Sequence, residues 1–379
     1  MPASSKRFNS LNDHQLEVLT SVFKEYSSFT LETSLTTDFL ISENCLLNCS
    51  IDESLELFLN FHFPFAWQAG FLKMKEQLEP LLLHKLSIPS IKWIYNSQVL
   101  IHKPLTHVKG VKHIIAISSG KGGVGKSSTA VNLAAALSVQ GAKVGILDAD
   151  IYGPSIPTML SMADADLTSL DGKLMEPVKS FGLVTNSIGY LSKGNDAMIW
   201  RGPMASKALI QLLQETNWPD LDYLILDMPP GTGDIQITLG QQIELSGAII
   251  ITTPQDIALL DVKKGVMMFN EVKVPLLGII ENMSWHTCES CGHESHPFGI
   301  DGAKKIAEEF KLPLLANIPL DIVLREDLDA GCPTTIARPN HRITEIFTNL
   351  AARVAAMTYS NCAKKQKKEI PLQFIDASK

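Results

Sequence analysis

Residues 286–296, "HTCESCGHESH", set Cys288 and Cys291 in a C-x-x-C pair with His293 and His296 close behind. Followed by Gly292, which lets the chain fold back, the pair forms a knuckle turn that can wrap a metal. Two coordination schemes fit these residues. A zinc ion could take Cys288, Cys291, His293 and His296 from one chain, although His293 follows Cys291 so closely that the set is cramped. Alternatively, the two thiolates are half of the four that an iron–sulfur cluster of the [4Fe–4S] type takes. The chain has six cysteines and no second C-x-x-C. Cys45 and Cys49 are too loosely spaced for a motif, and Cys332 and Cys362 are isolated, so all four are expected to be ordinary thiols.

The second chemical stretch is "GKGGVGKSS", residues 120–128, between the apolar run "HIIAIS" and a helical pattern. It satisfies G-x-x-x-x-G-K-[ST] with Gly120, Gly125, Lys126 and Ser127 in the fixed positions. Across Gly120, Lys121, Gly122, Gly123, Val124, Gly125, Lys126, Ser127 and Ser128, successive backbone N–H groups can curl toward phosphate oxygens. The helix N-terminus adds its partial positive charge. Lys126 is expected to reach the β- and γ-phosphates of ATP, and the Ser127 hydroxyl to ligate Mg²⁺.

Carboxylates stand where such a loop needs them. "ILDADIYGPS" ends a strand pattern with Asp148 and Asp150, expected on one side of an extended chain and able to orient a water or hold Mg²⁺ through its waters. "LILDMPPGTGD" ends another with Asp227, suited to the magnesium shell, and its Pro-Pro-Gly-Thr-Gly could act as a γ-phosphate switch. Two acidic strand ends beside a phosphate loop weigh against reading Asp148 or Asp227 as a mere helix cap.

These residues need a scaffold. "HIIAIS", "KVGILDA", "YLILDM", "AIIITT" and "LLGIIEN" are nearly continuous apolar runs, as in parallel strands buried on both faces. Helical stretches alternate with them, including "SSTAVNLAAALSVQG", closed by Gly141. The expected fold is a doubly wound, mostly parallel α/β sheet over residues 113–360, with ligands beyond the carboxyl ends of its strands. Residues 1–100 read as a small separate α/β domain. Leu16, Leu19, Val22 and Phe23 have helical spacing. Leu55, Leu57, Leu59, Phe61 and Phe63 alternate as in a strand, and a second helix is expected to bend or restart near Pro80. Residues 101–112 read as a linker and 361–379 as a polar tail.

Composition sets outer bounds. The 379 residues are 45% hydrophobic with a formal net charge of −7, which argues against nucleic-acid binding by phosphate neutralisation. No run of about 18 apolar residues marks a membrane span, and no apolar run follows the N-terminal charges as in a signal peptide. Cysteine usage suits a reducing compartment, so the expectation is a soluble cytoplasmic protein.

The form G-K-G-G-x-G-K-[ST], with Lys121 second, resembles the deviant phosphate-loop ATPases that include MinD, ParA and the nitrogenase iron protein. That resemblance implies a homodimer in which Lys121 reaches the partner's nucleotide. "SGKGGVGKS", "DADIYGPSIP", "WRGPM", "DYLILDMPPGTGD", "TTPQDIAL" and "ENMSWHTCESCGHESHPFG" together resemble the Mrp/ApbC family of iron–sulfur carrier ATPases, from about residue 110 to about 355. The resemblance implies ATP binding and hydrolysis, with a labile [4Fe–4S] cluster bridged by Cys288 and Cys291 of two subunits and passed to apo-proteins, with or without a scaffold protein. It also implies that Asn282, in "GIIENMS", hydrogen-bonds the adenine. Family members often carry an N-terminal domain with an Asp-Pro-Glu segment; residues 1–100 contain none. Two other readings stand beside this one. A ParA- or MinD-like positioning ATPase would need no C-x-x-C, and a phosphate-loop ATPase could carry a structural zinc knuckle. A nitrogenase-type reductase fits less well, since its cluster cysteines lie well separated in other sequence surroundings.

Overall fold

The structure, a computed structural model, describes residues 8–30, 45–101, 108–191 and 202–369. Half of the expected linker (102–107), Trp200 and Arg201 of "WRGPM", and the end of the tail lie outside these residues.

The N-terminal part is a four-stranded sheet in the order β1 (Phe8–Ser10), β2 (Leu46–Asp52), β3 (Glu56–Phe63), β4 (Ser90–Ser97). Helices α1 (Asp13–Thr30) and α2 (Gln68–Leu86) belong to the same unit. In β3 the expected alternation holds: Leu57, Leu59, Phe61 and Phe63 are buried and the residues between them are not. Leu55 does not belong to it. It sits exposed at φ 61° in the β2–β3 turn, where Asp52 Oδ1 accepts from the Ser54 and Glu56 amides. Leu19, Val22 and Phe23 of α1 are buried, whereas Leu16 is exposed. Nor does a helix begin anew at Pro80. α2 runs through it as one element, because Leu78 and Leu82 on either side are buried and hold the segment against the core while one backbone bond is lost.

The larger sheet has eight strands among the described residues, in the order β14-β11-β10-β5-β9-β6-β8-β7. All neighbours are parallel except β7, which pairs antiparallel with β8. Along the chain come β5 (Val111–Ser119), α3 (Lys126–Val139), β6 (Val144–Asp148), α4 (Ile156–Met159), β7 (Val178–Ser180), β8 (Leu183–Ser187), α5 (Gly202–Gln214), β9 (Leu221–Asp227) and α6 (Asp234–Gln242). They continue with β10 (Gly247–Thr252), α7 (Asp256–Glu271), β11 (Leu276–Asn282), the hairpin strands β12 (His286–Thr287) and β13 (Glu294–Ser295), and α8 (Gly302–Phe310). β14 (Leu314–Ile318), α9 (Ile322–Asp329), α10 (Thr334–Ala337) and α11 (Arg342–Glu369) complete the order. The five apolar runs are β5, β6, β9, β10 and β11, and their near-total burial explains why they lack alternation.

Two expected boundaries move. β5 begins at Val111, inside the expected linker, and α11 continues to Glu369, inside the expected tail, with Cys362 buried on it. The two parts of the chain also share a core. One cluster of buried side chains runs from Phe61, Phe63 and Phe65 through Leu133 and Ala134 to Phe347 and Tyr359. At the seam, Gln140 at the end of α3 accepts the Ala69 amide on its side-chain oxygen and the Gln68 amide on its carbonyl. The N-terminal sheet is thus built onto the larger one.

Candidate functional site

The strand order brings the carboxyl ends of β10, β5, β9 and β6 side by side, with β11 next to β10. Every chemical motif named above follows one of these ends, where doubly wound sheets bind ligands.

The loop after β5 enters α3 at Gly125, whose φ of +81° belongs to the left-handed region. A Cβ there would also run into Asn282 Nδ2, so glycine is required twice over. A Cβ at Gly120 would run into Asp261, while one at Gly122 or Gly123 would meet nothing within 4 Å. Ser119 ties the loop down by donating to the Lys121 carbonyl at 2.9 Å, and its own carbonyl accepts the Gly231 amide at 2.8 Å. The loop after β5 is thereby bonded to the Pro-Pro-Gly-Thr-Gly loop after β9.

Lys126 is buried at the first turn of α3, where its ammonium group lies 2.6 Å from Asp227 Oδ1 and 3.6 Å from Asp150 Oδ2. The other oxygen of Asp227 accepts the Ser127 hydroxyl at 2.5 Å. Asp227, fully buried at the end of β9, thus joins the loop lysine to the loop hydroxyl, and Ser127 and Asp227 present the adjacent oxygen donors that Mg²⁺ takes. These side chains fit the ion in donor type and proximity.

Asp148 and Asp150 are not equivalent, contrary to the expectation from their spacing. β6 ends at Asp148 and the chain turns, so the two do not share one face of a strand. Asp148 is fully buried and accepts the amides of Asp150, Ser155 and Ile156 and the Ser187 hydroxyl. It caps the start of α4, the role the sequence argued against, because the chain returns there directly beneath it. Burial, reinforced by the nearby Asp227 charge, raises its carboxyl to about 7. Asp150 is less deeply buried, its side chain 16% exposed beside Lys126. Burial also raises its carboxyl, against the lowering pull of that lysine.

Asn282 is likewise not placed as expected. At the end of β11 it is buried, its amide donates to the Val124 carbonyl of the phosphate loop at 2.9 Å, and its oxygen accepts the Met283 amide. Its geometry is that of a buttress under the loop, not a group reaching out to a base. Lys121, half-exposed, lies against Gln255, the side-chain oxygen accepting its ammonium at 3.3 Å. Nothing about Gln255, Asp261, Ser119 or Ser187 marks them in isolation. Gln255 lies within "TTPQDIAL" and Ser119 opens "SGKGGVGKS", whereas Asp261 and Ser187 lie in no motif.

Six residues beyond Asn282 stands Cys288, at the turn of the β12–β13 hairpin. The Cys288 amide donates to the His293 carbonyl at 2.9 Å, the Gly292 amide to the Cys288 carbonyl at 2.8 Å, and Gly292 takes φ 71°, as the knuckle reading requires. Cys291 is exposed and Cys288 half-exposed. The Cys291 and Ser290 amides, together with the Cys291 thiol, donate toward the Cys288 sulfur and lower its pKa, favouring the thiolate that binds metal. Among the described residues no three His, Cys, Asp or Glu side chains lie close enough together to hold a metal ion. The one-chain zinc set of Cys288, Cys291, His293 and His296 is therefore not assembled. Of the other cysteines, Cys45 and Cys362 are buried, and burial pushes the thiols of Cys49 and Cys332 up.

The hairpin root is clamped by residues distant in sequence. Trp285 accepts the Leu320 amide on its carbonyl at 2.7 Å and lies under the Arg342 guanidinium at 5.1 Å. Arg342 also pairs with Glu294 of β13 at 3.5 Å. None of the described helices is long and apolar enough to cross a membrane.

Comparison with known proteins agrees with this geometry. The family model described as ParA, NUBPL iron-transfer P-loop NTPase, matches residues 110–355. The chain is 59% identical to the iron-sulfur cluster carrier protein of Escherichia coli K12 over 299 residues, covering 78% of this chain and 81% of that protein. It is 46% identical to the Arabidopsis thaliana iron-sulfur protein required for NADH dehydrogenase, mitochondrial, covering 65% of this chain and 78% of the other. Among solved structures, a nucleotide-binding protein from Archaeoglobus fulgidus in complex with ADP is 34% identical, with TM-score 0.55 over 63% of this chain and 93% of its own. The septum site-determining protein MinD from Pyrococcus horikoshii, at 24% identity and TM-score 0.51 over 64% of this chain and 95% of its own, shares the fold. With its MinD/ParA-like sheet, its phosphate loop and its C-x-x-C hairpin, the chain belongs to the family of iron-transfer P-loop NTPases that contains the iron–sulfur cluster carrier proteins.

Proposed function

We propose that this protein binds and hydrolyses ATP and carries a [4Fe–4S] cluster held between two copies of the chain, releasing it to apo-proteins. The observation that carries the reading is the pair of thiols on an exposed hairpin with, among the described residues, no third ligand beside them. A four-thiolate set needs a second pair, and a two-fold axis supplies an identical one. The one-chain zinc knuckle is disfavoured by the same observation, and a positioning ATPase leaves the hairpin without a task.

In the ATPase half, Lys126 neutralises phosphate charge, Ser127 and Asp227 would hold Mg²⁺, and the loop amides bind phosphate oxygens. When bound there, Mg²⁺ would supply neutralisation of the phosphate charge. Asp150, the less buried of the two carboxylates and 3.6 Å from the Lys126 ammonium, orients the attacking water; Asp148 sets the shape of the loop that carries it. Lys121 is taken from Gln255 by a second subunit's nucleotide when the dimer closes. A ligand set divided between subunits releases its cargo on a small rearrangement of that dimer.

Anaerobic reconstitution with iron and sulfide tests the reading. The protein should turn brown with broad absorption near the visible edge, and C288S and C291S should stay colourless while still binding nucleotide. A colourless wild type that retains zinc would overturn it.

A further inference from the structure

The nucleotide loop and the cysteine hairpin are joined inside one chain by a short run of hydrogen bonds, from Val124 to His296. Asn282 donates to the Val124 carbonyl and accepts the Met283 amide. Met283 has φ 57°, a left-handed conformation that a side-chain-bearing residue adopts only when its surroundings impose it. Next, the Ser284 hydroxyl donates back to the Glu281 carbonyl at 2.9 Å, and the Ser284 carbonyl accepts from His296 Nδ1 at 2.9 Å. A carbonyl only accepts, so Nδ1 carries the proton. His296 directly follows β13, the return strand of the cysteine hairpin, and so staples its far side to the end of β11. The Ser284 amide donates to Ile318 and the Leu320 amide to the Trp285 carbonyl, which fixes the hairpin root to the end of β14.

We infer that Asn282 and His296 are positioning residues that make the exposure of Cys288 and Cys291 depend on the phosphate loop. The inference rests on the proposed use of both sites. Phosphate held by the loop amides fixes the Val124 peptide. Asn282, buried with both ends of its amide engaged, follows that peptide, and the strained Met283 is the joint that converts its shift into a tilt of the segment His296 holds. Glu281 stiffens the strand end behind the joint, since its carboxylate accepts the Ala303 amide at the start of α8. No titration is involved: the link is geometric, and its parts are two side-chain amide bonds, one imidazole N–H and one backbone joint.

The test measures the alkylation rates of Cys288 and Cys291 by a small maleimide, resolved by peptide mass spectrometry, with saturating Mg-ADP and without nucleotide. In the metal-free wild type the ratio of the two rates should be about fivefold or more in either direction, the size of an ordinary coupling between sites. H296A and M283G should bring the ratio close to one while nucleotide affinity, measured separately by titration calorimetry, stays within about twofold. H296N, whose side-chain N–H can occupy the place of Nδ1, should restore the ratio. A purely structural role for His296 would raise both rates in H296A and leave the ratio intact, which would overturn the inference. So would a wild-type ratio of one, or an unchanged ratio in M283G if H296A does not fold. Cluster uptake by wild type is read separately by its colour: a brown protein with an unchanged ratio in both variants sinks the link and spares the carrier reading, whereas a colourless protein with a nucleotide-dependent ratio does the reverse.

Discussion

Lys126 Nζ lies 2.6 Å from Asp227 Oδ1, with both side chains almost wholly withdrawn from solvent. A buried pair of this kind contributes little over an apolar replacement, but removing one partner strands the other, at a cost of about 3–5 kcal/mol. K126A should therefore lose ATPase activity by at least about a hundredfold, the scale for removing a transition-state charge partner. It should also melt lower, because Asp227 loses its cation. Steady-state hydrolysis and thermal unfolding check both; an active K126A would show that the loop serves something other than phosphate.

Asp148 gives a pH signature of definite sign. Its carboxyl is raised from 3.8 to about 7 by burial and by the Asp227 charge, so the folded state holds a proton that the unfolded state has released. Stability from this group is complete below about 4 and is lost as pH rises toward about 7. In nucleotide-free protein, the difference in melting temperature between wild type and D148N should change across that window in favour of D148N. A difference that stays flat from pH 4 to 7 would contradict the burial assigned to Asp148.

At the loop, G125A should abolish nucleotide binding, since a Cβ would strike Asn282 and the backbone holds φ +81°. G122A meets no neighbour within 4 Å and should fold as stably as wild type. Fluorescent-nucleotide titration with thermal melts separates the two effects.

Arg342 is a local clamp. Its stacking on Trp285 and its solvent-exposed pairing with Glu294 are each worth about 1 kcal/mol or less. R342A should change global stability little yet speed amide hydrogen exchange across residues 286–295, with R342K recovering only part of the protection because the ammonium group does not stack as the flat guanidinium does. Equal exchange in all three would remove the clamp.

The seam between the two sheets should make unfolding cooperative. Phe65 is fully buried with its ring 6.2 Å from that of Tyr359 on α11, so F65A should cost about 3–5 kcal/mol and lower one shared transition, not split off an N-terminal one. Two resolved calorimetric transitions would contradict a shared core.

The parallel sheet and the phosphate loop were legible in the sequence because their signals are local: apolar runs bounded by glycine, and a loop whose spacing is set by backbone geometry. The C-x-x-C hairpin was legible for the same reason. What escaped depends on partners far along the chain. Asp148 reads as catalytic beside a phosphate loop, yet Ser155, Ile156 and Ser187 return to claim its oxygens. Asn282 reads as a base contact until Val124 is found under its amide. The join of the N-terminal sheet to the rest, through Phe65, Gln140 and Tyr359, has no periodicity to announce it. Nor does the placing of Arg342 over Trp285.

The most direct test of the account is native mass spectrometry of the anaerobically reconstituted protein, with iron and sulfide counted per chain. A dimer holding four irons and four sulfides between two chains, falling to apo-monomer when Cys288 and Cys291 are replaced by serine, is the predicted result. A monomer that keeps a full complement of metal would contradict it.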